Sequence, residues 1–228
     1  MKSLEAYLIG IYLGDGNIYQ NNRMNRVTYS GNLKNEKEFY ENILSKIIKD
    51  IFKISPILYK RKKDNSIILI VNSKKIIERK KRLGFVPGNK KYSRIPKIIR
   101  QNKNLLRNCL AGIGDTDFSI SFKKNRKGIY TEPRMELFTY SPFLAKDVKN
   151  SLKELGFTSS FEEKIRREYI EYRIRMYGKR NLEKWMKEIG LKNSSKTVKI
   201  RFWKKFGYFI PRKNYNYYKT KLSTSSSG

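Results

Sequence analysis

The chain has 228 residues, enough to bury a sizeable core in one large domain or two small ones. Its net charge of +32 exceeds what solubility requires and indicates a polyanionic partner. The chain contains no histidine and one cysteine, Cys109, which excludes a disulfide framework, zinc–cysteine sites and catalysis by histidine. Any metal site must therefore use oxygen ligands, which suit Mg²⁺ or Mn²⁺.

The positive charge is spread along the whole chain. Residues 1–102 contain 23 Lys/Arg and 8 Asp/Glu, and residues 103–228 contain 29 and 12. This distribution favours duplex DNA or structured RNA over a small acidic substrate. No apolar run is long enough to cross a bilayer, and the N-terminus lacks a signal-peptide pattern. We therefore expect an intracellular protein with no membrane partner, cytoplasmic in a prokaryote or located in an organelle.

The first part of the chain predicts a helix, two strands, a helix, two strands and a closing helix. A helix over 3–14 begins with Ser3 as its N-cap, and the partial alternation over 17–32 is typical of a strand pair. An amphipathic helix follows over 34–52. A hairpin then turns near Asp64-Asn65, and the closing helix ends at Gly84.

The second part of the chain repeats this order. Helices are predicted over 103–116, 142–156 and 180–190, with strand pairs between them. Each half therefore has the order αββαββα, and the fold class is α+β with an internal pseudo-twofold. We divide the chain into an N-terminal half (1–84), a linker (85–102), a C-terminal half (103–191) and a basic, aromatic extension (192–228). The extension either clamps a duplex or packs on the second half, and we expect its end, "STSSSG", to be disordered.

The opening helices of the two halves carry similar segments, "LIGIYLGDG" at 8–16 and "LAGIGDTDF" at 110–118. Their small residues are Gly10 and Gly14 in the first, and in the second Ala111, Gly112 and Gly114. Glycine inside a helix costs about 0.5–1 kcal/mol relative to alanine, so repeated use requires a reason. Small residues let two helix backbones approach closely. Packing of these helices around the pseudo-twofold would bring Asp15 and Asp117 together.

Two carboxylates at neighbouring helix C-termini repel each other and face the negative ends of both helix dipoles. A divalent cation relieves this repulsion, and the carbonyl oxygens of Gly14 and Thr116 at the helix ends can add ligands. In a strongly basic protein, such a metal site predicts phosphodiester hydrolysis. Asp115 has Leu13 as its counterpart in the first half, so we interpret it as structural. Cys109 is interpreted as a buried apolar residue.

These segments resemble the two signature helices of the single-chain LAGLIDADG homing endonucleases, and the resemblance covers nearly the whole chain. It implies a saddle of two antiparallel four-stranded sheets lying in the DNA major groove. It also implies double-strand cleavage at a long target site by a monomer, with Asp15 and Asp117 as catalytic metal ligands and short 3′ overhangs as products. The implied cofactor is Mg²⁺, with Mn²⁺ or Ca²⁺ as substitutes, and an intron-encoded or free-standing form is expected. The chain departs from the family pattern at two positions. One is Leu13, and the other is Phe118, where the family usually has glycine.

Strand alternation predicts which side chains face DNA, because residues two apart in a strand share a face. Arginine can pair with guanine, asparagine with adenine, and Ser or Thr with either. The predicted base-reading residues are Asn17, Tyr19, Arg26, Thr28, Ser30, Asn32, Ser119, Ser121, Lys123, Arg134, Glu136, Arg173 and Arg175. The predicted phosphate-binding residues at the hairpin ends are Lys60, Arg61, Lys62, Lys63, Lys123, Lys124 and Arg126. A lysine near the scissile phosphate is implied by the resemblance, with Lys34 and Lys123 as candidates.

Two alternatives share the charge and the repeat. One is an RNA maturase on the same fold, and the other is a DNA-binding protein that does not cleave. Retention of both Asp15 and Asp117 favours cleavage. A nuclease of the GIY-YIG type is excluded, because that motif belongs on strands and Gly10–Tyr12 lies within a predicted helix.

Overall fold

The computed structural model describes residues 1–88 and 90–224, and its elements follow the predicted repeat. The first half contains α1 (Ser3–Asp15), β1 (Gly16–Gln20), β2 (Asn25–Asn32), α2 (Leu33–Glu38), a π-helical segment (Phe39–Leu44), α3 (Ser45–Phe52), β3 (Ile57–Arg61), β4 (Ser66–Asn72) and α4 (Lys74–Arg82). After the connecting helix α5 (Lys97–Arg100), the second half contains α6 (Lys103–Thr116), β5 (Ser119–Lys124), β6 (Tyr130–Thr139), α7 (Pro142–Glu154), β7 (Ser160–Ile165), β8 (Ile170–Tyr177) and α8 (Gly178–Glu188). The extension adds α9 (Ser194–Phe206) and α10 (Tyr215–Thr224).

Each half forms a four-stranded antiparallel sheet. The strand order β1-β2-β4-β3 of the first sheet recurs as β5-β6-β8-β7 in the second. One face of each sheet belongs to the apolar core, with side chains such as Val27, Leu69, Leu137 and Ile174 fully buried. Because successive side chains point to opposite faces, the intervening polar residues share the other side, which we call the polar face. The expected α+β fold with two such sheets is confirmed.

The two halves are joined through α1 and α6, which pack along each other. Ile11 of α1 and Leu106, Leu110 and Ile113 of α6 are completely buried. Their burial makes one continuous core out of the two halves, since neither helix has a solvent-facing side at its centre. The pseudo-twofold therefore passes through the middle of the hydrophobic core.

Local sequence signals account for several element boundaries. Asn32 caps α2, Asn102 caps α6 and Ser141 caps α7, each by accepting a backbone N–H bond at the start of its helix. Pro142 occupies the first position of α7, as its fixed φ favours. The hairpin between β3 and β4 turns at Asn65, whose φ of 52° lies in the left-handed region that asparagine tolerates. The predicted turn there is confirmed.

Two local predictions are wrong. Ser3 is not the N-cap of α1 but its first residue. The helix begins one residue earlier because Glu5 accepts a hydrogen bond from the backbone N–H of Lys2, at 3.2 Å. The segment 85–102 is also more than a linker, since it forms α5 and buries Phe85, Ile95 and Ile99 in the core.

The end of the extension also differs from expectation. Ser223 and Thr224 end α10 rather than being disordered, since both hydroxyls donate to the carbonyl of Thr220 one turn earlier. The rest of the expected disordered end, residues 225–228, lies outside the described residues. Among the helices described, none combines the length and apolar character that a membrane crossing requires.

Candidate active site

The crossing of α1 and α6 depends on glycine. A Cβ on Gly10 would lie 2.0 Å from the carbonyl oxygen of Cys109, and one on Gly112 would lie 2.2 Å from the carbonyl oxygen of Tyr7. These distances leave no room for any side chain, because the obstructing atoms are backbone atoms. The predicted close approach of the two helices is confirmed at both positions. Gly114 has another role, because a Cβ there would lie 2.8 Å from the ring of Trp185 in its own half.

The same crossing brings the two motif acids together. Asp15 is the last residue of α1, and Asp117 directly follows α6. A Cβ on Gly14 would lie 3.0 Å from Oδ1 of Asp117 and 2.1 Å from Oγ1 of Thr116. Gly14 therefore lets Asp117 lie against the end of the partner helix. The first strand of each sheet begins one residue after Asp15 and two residues after Asp117, so the pair lies where the two sheets begin.

Burial perturbs both carboxyl groups. Burial, followed by the charges of Asp117 and Glu36, raises the pKa of Asp15 to about 7 against the opposing effects of Lys196 and a hydrogen bond from Tyr40. That bond runs from the Tyr40 hydroxyl to Oδ2 of Asp15 over 3.1 Å. Burial also raises the pKa of Asp117 to about 6, opposed by Lys90 and Lys196. Because burial makes the charged form of both carboxyl groups costly, a cation bound between them would be favoured.

Two lysines flank the acids, half-buried Lys90 and buried Lys196, and the sequence interpretation missed both. Lys90 Nζ donates to the carbonyl oxygen of Gly14. Lys196 Nζ donates to three carbonyl oxygens at the end of α6, those of Gly114 at 2.8 Å, Thr116 at 2.6 Å and Phe118 at 2.7 Å. Burial lowers the pKa of both lysines, while the charges of Asp15 and Asp117 act in the opposite direction. The centre therefore consists of two acids and two ammonium groups.

A signal for these lysines was present in the sequence. Lys90 and Lys196 are each the sixth residue after the glycine that ends the closing helix of their half, Gly84 and Gly190. The corresponding segments are "GFVPGNK" and "GLKNSSK". The candidates Lys34 and Lys123 differ from them, since neither is among the charges that shift the pKa of the two acids. Lys123 instead lies over the ring of Tyr177, 4.8 Å from its centroid.

Asp115 is a structural residue, as its lack of a counterpart suggested. Its side chain is fully buried and accepts hydrogen bonds from the Tyr7 hydroxyl at 2.7 Å and from the backbone N–H groups of Lys192 and Asn193 at 2.9 and 2.8 Å. Burial raises the pKa of Asp115, while these hydrogen bonds oppose the increase. Asp115 thereby joins α1, α6 and the start of the extension behind the centre. Cys109 is completely buried in the core.

The donor set fits a divalent oxygen-preferring cation. Within residues 1–88 and 90–224, no three acid, histidine or cysteine side chains come close enough together to form a metal cluster. The available ligands are therefore the carboxylates of Asp15 and Asp117 and neighbouring backbone carbonyls, all of them hard oxygen donors. The carbonyls of Gly14 and Thr116, which we expected to be ligands, each accept a lysine ammonium group here. The two carboxylates thus remain the principal candidate ligands.

The polar face of the first sheet contains the residues expected there. Register pairs Asn17 with Thr28 and Tyr19 with Arg26 across β1 and β2, and Ser30 and Asn32 follow at the same parity. Tyr19 is 51% exposed, whereas Thr28 is only 8% exposed. The amide oxygen of Asn32 is engaged in capping α2. Tyr19, Arg26 and Ser30 are therefore the more accessible candidates for contact with DNA.

The polar face of the second sheet is organised by glutamates. Glu136 is only 4% exposed and forms ion pairs with Arg175 and Arg134. Arg175 also donates to Glu162 over 2.5 Å, and Arg173 donates to Glu171 over the same distance. The hydrogen bonds with Glu136 and Glu162 raise the pKa of Arg175. Glu136 thus orients arginines. The other predicted residues of this face are Ser119, which is exposed, Ser121, which accepts a bond from Arg134, and Lys123.

The basic hairpin ends are exposed, with one exception to the expected orientation. Arg61, Lys62, Lys63, Lys124 and Arg126 are all exposed at the ends of the strand pairs. Lys60 pairs in register with fully buried Ile67, so it points toward the helices and forms an ion pair with Glu41. Lys60 and Arg61 therefore face opposite sides of the sheet, because successive strand residues alternate, and phosphate binding by Lys60 stays a prediction.

The extension contacts both halves of the molecule. Trp203 and Phe209 of the extension lie against Phe122 of β5, so the expected packing on the second half is observed. Tyr215 and Lys219 donate to Glu38 of the first half at 2.8 and 2.9 Å. The extension therefore bridges the two halves next to the centre.

The fold has clear relatives among solved structures. The homing endonuclease I-DmoI in complex with DNA and Mn has a TM-score of 0.58 and 18% identity, over 82% of this chain and 96% of that one. The I-LtrWI LAGLIDADG homing endonuclease bound to target DNA has a TM-score of 0.56 and 11% identity, over 90% of this chain and 89% of that one. The N-terminal LAGLIDADG domain of DUF199/WhiA has a TM-score of 0.54 and 12% identity, with 83% of each chain covered.

Sequence comparisons give a family for part of the chain. A replication factor C small subunit from Methanocaldococcus jannaschii is 26% identical over 198 residues, which are 86% of this chain but 10% of that protein. The chain thus spans about a tenth of the length of that relative. The family model of the LAGLIDADG-like domain matches residues 104–190. Residues 104–190 therefore match the LAGLIDADG-like domain family, and the whole chain has the two-half fold of the solved I-DmoI and I-LtrWI structures.

Proposed function

We propose that this protein is a monomeric, metal-dependent endonuclease that cuts both strands of duplex DNA at a specific site. The observation that carries the proposal is the pair Asp15 and Asp117 at the crossing of α1 and α6, each close to a lysine. The fold supports it, because related structures are named as homing endonucleases with bound DNA. The net charge of +32 supports a nucleic-acid partner.

Asp15 and Asp117 would hold Mg²⁺ or a substitute such as Mn²⁺ or Ca²⁺. The bound cation would lower the pKa of a water molecule and neutralise charge on the leaving oxygen. The chain's own residues would position the phosphates. Lys90 and Lys196 are each anchored to backbone carbonyls beside one acid, so their ammonium groups can lie near the two phosphates under attack. Tyr40 orients Asp15 through its hydroxyl hydrogen bond.

The polar faces of the two sheets would contact the bases. In the second sheet Arg134, Arg173 and Arg175 are oriented by glutamates before DNA binds, which reduces the conformational entropy lost on binding. Exposed basic residues at the hairpin ends would contact phosphates and fix the register of the duplex.

A non-cleaving nucleic-acid-binding protein is the second candidate, either a DNA-binding protein or an RNA maturase. One observation favours it. The carbonyl oxygens of Gly14 and Thr116 accept lysine ammonium groups, which reduces the oxygen ligands open to a cation.

Selection of cleaved sequences from a random duplex library with Mg²⁺ tests the proposal. We expect a long, nearly asymmetric site cut on both strands, and loss of cutting in Asp15→Asn and Asp117→Asn with DNA binding retained. Cleavage that persists in the double variant would refute the mechanism. Tight binding of duplex or intron RNA by wild-type protein, with no cutting under any divalent cation, would favour the second candidate.

A further inference from the structure

A cleft of 350 Å³ lies beside Asp117 and is formed by three parts of the chain. The first half contributes Glu36, α6 contributes Thr116, and the extension contributes Lys196, Lys199 and Lys213. The three lysines outnumber the two acids that line the cleft, Glu36 and Asp117, so its lining carries a net positive charge. A singly charged phosphodiester group is the chemical class that such a surface accommodates.

Among the lysines of this cleft, Lys199 is the best placed to bind a ligand. It is half-buried, and burial lowers the pKa of its ammonium group, with Glu36 as the opposing charge. Among the described residues, its Nζ makes no hydrogen bond and no ion pair. Lys196 differs from it, because its three donors are all used by the carbonyls of α6. Lys199 therefore remains available for an anion.

The extension is held in place at this cleft by two acids of the first half. Asn193 donates to Glu36 at 2.8 Å, and Tyr215 and Lys219 donate to Glu38. Lys213 lies two residues before Tyr215, with its ammonium group 5.2 Å from the ring centroid of Tyr217. Because these contacts fix the start of α10, the position of Lys213 at the cleft is determined by the fold.

The opposite side of the centre is built differently. A cleft of 910 Å³ there contains Lys90 and Gly14 and is bordered by Arg166 and the rings of Tyr140 and Tyr169. Among its described lining residues, none belongs to the extension. The pseudo-twofold relates Lys90 to Lys196, but Lys199 and Lys213 have no counterparts under this symmetry. Only one of the two DNA strands can therefore contact these two lysines.

We propose that Lys199 and Lys213 form a phosphate-binding site for the DNA strand cut on the Lys196 side of the centre, and that this site makes cleavage of the two strands unequal. The first part concerns binding alone. The second rests on the proposed function, because it needs a cleavable duplex. The two parts are therefore tested separately.

The binding test compares two double variants on a random-sequence duplex with Ca²⁺. Lys199→Gln with Lys213→Gln removes the proposed site, whereas Lys46→Gln with Lys49→Gln removes the same charge from exposed positions of α3. Each lost phosphate contact reduces the slope of log K against log salt by about 0.9. We expect a slope smaller by about 2 for the first variant and little change for the control. Equal reductions in the two variants would overturn the phosphate site.

The strand test uses the duplex selected with Mg²⁺, labelled on both strands, in single-turnover conditions with saturating protein. We expect the variant lacking Lys199 and Lys213 to cut one strand at least about tenfold more slowly and the other within about twofold of wild type. The Lys46/Lys49 control should cut both at the wild-type rate. Equal slowing of both strands would overturn the asymmetry, whereas absence of cleavage in wild-type protein would refute the proposed function and leave the binding result to stand.

Discussion

Asp15 and Asp117 predict a pH-dependent cleavage rate at limiting Mg²⁺. With pKa values near 7 and 6, both carboxyl groups are partly protonated in mildly acidic solution and lose affinity for a cation. We therefore expect the single-turnover rate to rise as pH increases from about 5.5 to about 7.5 and then to level off. Saturating Mg²⁺ should move the midpoint to lower pH, since the cation competes with protons. A flat profile over this range would contradict the assignment of the acids.

The same perturbation predicts that Asp15→Asn stabilises the metal-free protein. The pKa of Asp15 is higher in the folded chain than its ordinary value of 3.8, so the associated stability is lost as pH rises through about 7. At pH 8 in EDTA, the amide removes this penalty, and the free energy of unfolding should increase by at least about 1 kcal/mol. Urea denaturation measures the change. The difference should nearly vanish only below the ordinary pKa of 3.8, and a destabilised variant at pH 8 would contradict the interpretation.

We expect that, among small substitutions, those at Gly10 and Gly112 reduce the stability of the fold most. Alanine raises intrinsic helix propensity, but a Cβ at Gly10 would overlap the carbonyl of Cys109 at 2.0 Å. Separation of α1 and α6 would then cost about 3 kcal/mol, the upper end of the range for overpacked cores. Urea denaturation of Gly10→Ala and Gly112→Ala measures this cost. Unchanged or increased stability in either variant would show that the helices can separate without penalty.

We expect Asp115→Asn to weaken the attachment of the extension to the rest of the molecule. The carboxylate accepts hydrogen bonds from Tyr7, Lys192 and Asn193, and an amide would place a donor against one of these N–H groups. We expect a loss of about 2–3 kcal/mol of stability and faster proteolysis after α8. Limited proteolysis with mass spectrometry locates the cleavage. Asn42→Asp, at an exposed position of the π-helical segment, is a control that should leave the digestion pattern unchanged.

The helices, the strands and the two acids could be predicted from sequence because they depend on local periodicity and on the repeat. For the lysines of the centre, the sequence shows only their matching positions after Gly84 and Gly190. Their role depends on contacts with carbonyls 76 and 80 residues away along the chain, which local patterns do not reveal. Strand parity likewise identified the face of Glu136 but not its pairing with Arg134 and Arg175, which depends on the register between β6 and β8. The position of Lys60 could have been predicted, because alternation with Arg61 places it on the other face.

The charge of the whole molecule predicts strongly salt-dependent DNA binding. The net charge of +32 is spread over both halves, so many phosphates can be contacted at once. On a random-sequence duplex, log K should fall by at least about 5 for each tenfold increase in salt, which corresponds to roughly six phosphate contacts. Fluorescence anisotropy over a range of KCl concentrations measures the slope. A nearly salt-independent affinity would exclude electrostatic association with the backbone.

The backbone contact between α1 and α6 limits how this protein can be recombined with others. Gly10 contacts the backbone of the second half, and Gly112 contacts the backbone of the first half. A chimera that joins one half to a half from another protein therefore keeps this helix contact only if both crossing helices carry glycine at these positions. Hybrids that satisfy this rule would inherit a preassembled interface. Those that do not would need redesign of the junction before any change in DNA target could be engineered.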